Sequence, residues 1–83
     1  MAVGGFAAKQ GYPKAQRNIG IRYMRGDGVD RNDAEALLWL MLAANGGASG
    51  AAEKRDAVAT KLSTDERKAV EAKAKAWKPV LPR

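Results

Sequence analysis

The chain has 83 residues, and its fifteen Lys and Arg outnumber nine Asp and Glu to give a formal net charge of +6. A chain of this length supports one small domain. Cysteine and histidine do not occur. Their absence excludes disulfides, thiol catalysis, the usual zinc sites and Ser-His-Asp chemistry. We therefore predict a non-enzymatic protein without a metal ion or cofactor.

The chain is also expected to be soluble. Its longest apolar runs fall short of the ~18 residues that a membrane span needs. The start MAVGGFAAKQ lacks the long apolar core of a signal peptide. Residues 1–45 carry six basic and four acidic groups (+2), whereas 46–83 carry nine and five (+4). This excess fits either simple solubility or an acidic partner, and the cellular compartment stays open.

Apolar residues recur at helical spacing and nowhere with a period of two, which predicts an all-α fold with about four helices plus an N-terminal partial turn. The first helix is expected from Pro13 to Gly26. The second begins at a capping box formed by Asn32 and Glu35 and ends at Gly46 and Gly47. Its inward positions are expected to be Ala36, Trp39, Leu40 and Ala43.

The third helix is expected over 49–62, with Ser49 at its start. The fourth begins at a second capping box, formed by Ser63 and Glu66, and ends near Trp77 ahead of Pro79. The inward positions expected on these two helices are Ala51, Val58, Leu62, Val70, Ala74 and Trp77.

The stretch RGDGVDRNDAEALLW, residues 25–39, raises the question of ion or phosphate binding. As a calcium loop, DGVDRNDAEALL fails at its third, fifth and sixth positions and offers Leu38 where a bidentate Glu is required. It also lacks the lysine of a phosphate loop. We interpret it as a turn; weak ion binding by Asp27 and Asp30 is the alternative. The residues expected to shape the turn are Gly26, Gly28, Val29 and Asn32.

A shift of 36 residues aligns short Ala and Gly matches with helix boundaries. The aligned pairs are Ala7 with Ala43, Ala8 with Ala44, Gly11 with Gly47, and Ala15 with Ala51. The chain also follows the pattern A-A-x-x-G, A-Q-x-x-L-G-x-x-Y, G-x-G-V and A-x-x-W-x-x-x-A-A-x-x-G. The matching residues are Ala7, Ala8, Gly11, Ala15, Gln16, Ile19, Gly20, Tyr23, Gly26, Gly28, Val29, Ala36, Trp39, Ala43, Ala44 and Gly47.

On these residues the chain resembles the Sel-one-like repeats, relatives of the tetratricopeptide repeats. The resemblance implies an α/α solenoid that acts as an adaptor or scaffold without catalytic activity. It divides the chain into a partial repeat or entry segment (1–12), one full repeat (13–47), a terminal helix pair (48–78) and a tail (79–83). The terminal pair resembles a module that closes many bacterial members. Asn32 replaces the usual Asp and keeps the helix cap.

The first and third helices carry the predicted protein-binding face. In the repeat geometry that the resemblance implies, the first helix of each pair lines the side where partners dock. An ordinary solvated helix face is the alternative. The face comprises Lys14, Arg17, Asn18, Ile21 and Arg25, continued by Lys54 and Lys61 beside Glu53 and Ala57.

Three apolar residues of the second helix, Leu38, Met41 and Leu42, lie opposite its inward face. Exposing them forgoes ~1.5–3 kcal/mol each, so something is expected to cover them. We favour cover from within the chain, and self-association is the alternative. The candidate covers are Phe6, the tail at Val80 and Leu81, and the fourth helix.

Two charged features remain. Arg55 falls on the packed side of the third helix, where it needs a carboxylate such as Asp33, Glu35 or Glu66, or a route for its stem to water.

The fourth helix carries three lysines along one side with Glu71 among them. A nucleic-acid partner is therefore a second hypothesis, weakened by the scarcity of aromatic residues. The third hypothesis is that the chain serves purely as a structural cap of a larger assembly. The lysines are Lys68, Lys75 and Lys78.

Overall fold

The computed structural model describes residues 5–80, and within that range the chain is all-helical, with no strand. This agrees with the all-α prediction. Apolar residues that lie three or four apart, such as Ala36, Leu40 and Ala43, fall on one side of a helix. The five helices are α1 (Gly5–Lys9), α2 (Pro13–Arg25), α3 (Asp33–Asn45), α4 (Ala51–Ala59) and α5 (Thr64–Ala76).

The helix ends follow the local chemistry of the sequence. Pro13 is the first residue of α2, and Gly26 ends the helix at a φ of 70°, a left-handed conformation that glycine adopts without steric cost. Before α5, the Ser63 N–H donates to Glu66 Oε1 at 2.8 Å. The Glu66 N–H in turn donates to Ser63 Oγ at 3.1 Å. This reciprocal pair is a complete capping box.

Two predicted helix starts need correction. Asn32 caps α3 by accepting from the Glu35 N–H at 3.0 Å. The Glu35 carboxylate, however, does not reach back to complete a box; it accepts from Trp39 Nε1 at 3.2 Å, one turn further along α3. Ser49 does not begin α4 either. Gly50, at a φ of 75°, precedes the first helical residue, so the helix begins at Ala51 and is shorter than predicted.

Helix α3 is the centre of the molecule, in contact with α2, α4 and α5. It is apolar on nearly all sides, as expected for a helix surrounded by others. All four of its expected inward residues are buried, and Leu37 is buried as well. The largest core cluster consists of Ala36, Leu37, Leu40, Val58 and Val70.

The two ends of the described chain meet beside α1. The Val80 N–H donates to the Lys9 carbonyl at 2.7 Å. A Cβ at Gly11 would lie 3.5 Å from Pro79 Cβ, so the tail passes close to the turn between α1 and α2. The buried Gln16 donates from Nε2 to the Ala8 carbonyl at 3.2 Å and ties α2 to α1.

Candidate binding surfaces

The basic face predicted on α2 is partly exposed to solvent and partly packed against the rest of the chain. Lys14, Asn18 and Arg25 are exposed, whereas Arg17 and Ile21 are half-buried. Ile21 packs against the core cluster around Leu37 and Leu40. A helical-wheel view of α2 places Ile21 among charged residues on an open face, but in the structure the core covers part of this side chain, so only the rest of it is available to a partner.

Arg17 links α2 to the turn that precedes α4. Its Nη1 donates to the Ser49 carbonyl at 3.0 Å, and its Nε donates to Asn18 Oδ1 at 3.4 Å. Helices α2 and α4 are also in contact. Lys54 on α4 is half-buried, and Lys61, just beyond its end, is exposed. The structure thus brings α2 and α4 into contact and leaves Lys14, Asn18, Arg25 and Lys61 exposed to another molecule.

The three apolar residues expected opposite the inward face of α3 differ in their burial. Leu42 is buried, and Leu38 and Met41 are half-buried. Trp77 and Ala74, at the end of α5, pack against the cluster that contains Leu42. The fourth predicted helix, now α5, therefore covers part of this group.

Phe6 and Val80, also candidates to cover the apolar residues of α3, remain largely exposed. Phe6 is 70 % exposed and Val80 is 60 % exposed, so neither is sealed against an apolar surface. Leu81 lies outside the described residues. A self-association surface made of all three α3 residues would require Leu42, whose side chain already lies in the core.

The turn between α2 and α3 has the expected backbone geometry. Gly26 and Gly28 have φ values of 70° and 77°. Val29 is half-buried, and the Asn32 N–H donates to the Tyr23 carbonyl at 3.0 Å. Across residues 5–80, no three acidic side chains come together in a way that could hold a metal ion. The φ values of Gly26 and Gly28 are those of a tight reversal of the chain, and weak ion binding by Asp27 and Asp30 stays a prediction.

Arg55 pairs with the residue next to it rather than with a carboxylate on another helix. Its Nε lies 2.9 Å from Asp56 Oδ1, and both side chains are partly exposed. The predicted partners Asp33, Glu35 and Glu66 are therefore wrong. Arg55 instead lines an open groove between α4 and α5.

Sequence reasoning missed this groove. It consists of two adjoining cavities of about 390 and 370 Å³ that share Met41, Arg55 and Glu71. Two sequence signals could have located it, namely an apolar Met41 outside the inward face of α3 and an arginine on the packed side of α4. The remaining lining residues are Leu37, Asn45, Asp56, Ala59, Thr64, Arg67, Lys68, Ala74 and Lys75.

Comparison of the chain with protein-family models, curated proteins and solved structures found no significant match. Among residues 5–80, no helix is both long enough and apolar enough to cross a bilayer. The shape and charge of the exposed surfaces are therefore the basis for assigning a role.

Proposed function

We propose that the chain is a non-catalytic protein-binding module, an adaptor of the helical-repeat type that the Sel-one-like resemblance implies. The observation that carries this proposal is the order in which the helices pack. Helix α2 contacts α3 and α4, and α3 contacts α4 and α5. Helices α2, α3 and α4 thus each contact the other two, as expected when one helical hairpin stacks on the next, and α5 packs back on α3 and scarcely on α4.

The face shared by α2 and α4 is the proposed docking surface. The hydrogen bond from Arg17 to the Ser49 carbonyl fixes one helix against the turn leading to the other. Lys14, Asn18 and Arg25 stand exposed along α2. A row of two cations and an amide on a rigid helix suits an acidic protein surface, and such complementarity favours fast and specific association.

A nucleic-acid partner is the rival that this basic face invites. Single-strand binders use exposed aromatic rings on which bases stack. Trp39 is 7 % exposed, and its ring meets that of the half-buried Trp77. Both tryptophans are therefore engaged in the interior of the described chain. The exposed rings of Phe6 and Tyr12 lie before the first residue of α2, and none of the residues of the proposed face is aromatic, which supports a protein partner over a nucleic acid.

Affinity capture from a nuclease-treated lysate of the cells that make the protein tests this proposal. The bait variant Lys14→Glu/Arg25→Glu reverses two exposed charges on α2. Its matched control, Lys73→Glu/Lys78→Glu, makes the same change in net charge at exposed positions near the other end of the chain. Circular dichroism must first show that both variants keep the helical content of the wild type.

We expect one or more proteins to be retained by the wild type and the control and lost with the α2 variant. Two results would reject the proposal. One is that every species retained from a parallel untreated lysate is lost from the nuclease-treated lysate, which would assign the basic surface to nucleic acid. The other is equal retention by all three baits.

A further inference from the structure

The groove between α4 and α5 has an apolar floor that the rest of the chain leaves partly open. Both helices pack on α3 and scarcely on each other. Met41 lies half-buried between them, beside the fully buried Leu37 and the half-buried Ala59. Cavities of about 390 and 370 Å³ adjoin at Met41. Each is within the size range of small-molecule binding sites.

The rim of the groove is mostly cationic. Arg55 is already paired with Asp56 at 2.9 Å. The charged side chains that remain around the two cavities are Arg67, Lys68 and Lys75 against Glu71. Arg67 is held in place by a hydrogen bond from Nη2 to Thr64 Oγ1 at 3.3 Å. The groove thus combines an aliphatic floor with an excess of positive charge at its edges.

We propose that this groove binds an acidic peptide segment that carries one aliphatic side chain. The aliphatic residue would pack on Met41, whose unbranched thioether adapts to partners of different shape. Carboxylates on either side would pair with Arg67, Lys68 and Lys75. A nucleic acid fits this groove less well, because none of the lining residues is aromatic and a base would find no ring to stack on.

This site is separate from the α2 and α4 docking surface and does not depend on it. The residues that line the groove and the exposed residues of α2 belong to different sets. Charge reversal in one set can therefore be compared directly with charge reversal in the other. Failure of the adaptor proposal would not affect the proposal of a peptide-binding groove, and failure of the groove proposal would not affect the adaptor proposal.

Selection of a random dodecapeptide phage library on the full chain tests the proposal, followed by fluorescence anisotropy with the enriched peptides. We expect enriched sequences with net negative charge and one conserved Leu, Ile or Met. Lys68→Glu should weaken their binding about fivefold or more at low salt. Lys73→Glu, on the same helix but outside the groove lining, should change it little.

The direction in which a third variant changes the peptide affinity separates a binding effect from general damage to the fold. Glu71→Gln removes the acidic group shared by both cavities, so it should tighten the binding of an acidic peptide. Enrichment of neutral or basic peptides, or of none, would overturn the proposal. So would equal losses for Lys68→Glu and Lys73→Glu. Displacement of the peptide by a single-stranded oligonucleotide of comparable affinity would reassign the groove to nucleic acid. If the protein is a dimer and Met41→Glu converts it to a monomer, the groove would instead be assigned to self-association.

Discussion

Trp39 of α3 and Trp77 at the end of α5 meet edge to face, with ring centroids 6.1 Å apart and ring planes at 77°. The edge of one ring faces the negative π cloud of the other, a geometry worth ~0.5–1.5 kcal/mol beyond the area buried. Trp39 is also anchored by its hydrogen bond to Glu35. The pair joins the central helix to the last helix and holds the end of α5 over Leu42.

Replacing Trp77 with alanine should therefore destabilise the whole molecule. Trp77 is half-buried, so we expect a loss of about 2 kcal/mol, below the ~3–5 kcal/mol typical of a fully buried tryptophan. Urea unfolding followed by circular dichroism measures it. Lys78→Ala changes an exposed neighbour and serves as the control. Equal midpoints for the two variants would show that the tryptophan pair contributes nothing to stability.

Gly20 allows α2 and α3 to approach closely. A Cβ added there would lie 2.8 Å from Leu40 Cγ and 3.3 Å from the Leu40 backbone nitrogen. Leu40 is fully buried and has little room to move. Gly20→Ala should gain ~1 kcal/mol of helix propensity but lose more through overpacking, for a net cost of about 1–2 kcal/mol.

The thermal midpoint measures this cost, and Lys14→Ala is the control on the same helix. Lys14 is exposed, so its replacement by a strong helix former should leave the midpoint unchanged or slightly higher. A Gly20→Ala variant that is as stable as this control would mean that the two helices lie further apart than described.

The capping box of α5 makes stability depend on pH. Hydrogen bonds from the Ser63 backbone N–H, and then from its hydroxyl group, lower the pKa of Glu66. A lowered carboxyl pKa contributes stability that is present above the pKa of the unfolded chain and is lost as the pH falls through the folded value. The midpoint difference between the wild type and Glu66→Ala should therefore narrow on acidification.

Melting curves at a series of pH values from neutral to acidic measure this difference. Lys73→Ala, at an exposed position on the same helix, is the control, and its difference from the wild type should stay constant. A Glu66→Ala difference that stays constant or widens as the pH falls would contradict the assigned hydrogen bonds.

Gly28 tests the backbone of the turn between α2 and α3. Its φ is 77°, and a Cβ added there would meet nothing within 4 Å. Gly28→Ala should therefore cost about 1 kcal/mol through backbone strain alone. Gly28→Asn should cost less, because asparagine tolerates this conformation better. Equal unfolding free energies for the two variants would argue against a left-handed residue at this position.

Much of the helical layout could be predicted because the signals are local. Pro13, Asn32 and Ser63 precede or begin helices for reasons contained in their own chemistry. The apolar spacing of α3 likewise identified Ala36, Trp39, Leu40 and Ala43 as buried. The start of α4 was misplaced because Ser49 and Gly50 both suit a helix start, and only the left-handed φ of Gly50 decides between them.

Features that depend on how helices pack were harder to predict. Whether Ile21 is exposed depends on how closely α2 approaches α3, and a helical wheel does not contain that distance. The Glu35 carboxylate had two local partners, and tertiary packing of Trp39 favoured the indole over the backbone. The groove exists because α4 and α5 are spread apart over Met41, a relation between three segments that no single stretch of sequence encodes.

The central claim is that another protein docks on the face shared by α2 and α4. Amide chemical-shift mapping tests it most directly, with the isotopically labelled chain titrated with a protein recovered by affinity capture. We predict that the perturbed amides concentrate on residues 14–25 of α2 and on α4 with the two residues that follow it, and that Lys14→Glu/Arg25→Glu abolishes the shifts. Perturbations confined to α5 and the tail, with the α2 amides unmoved, would contradict the claim.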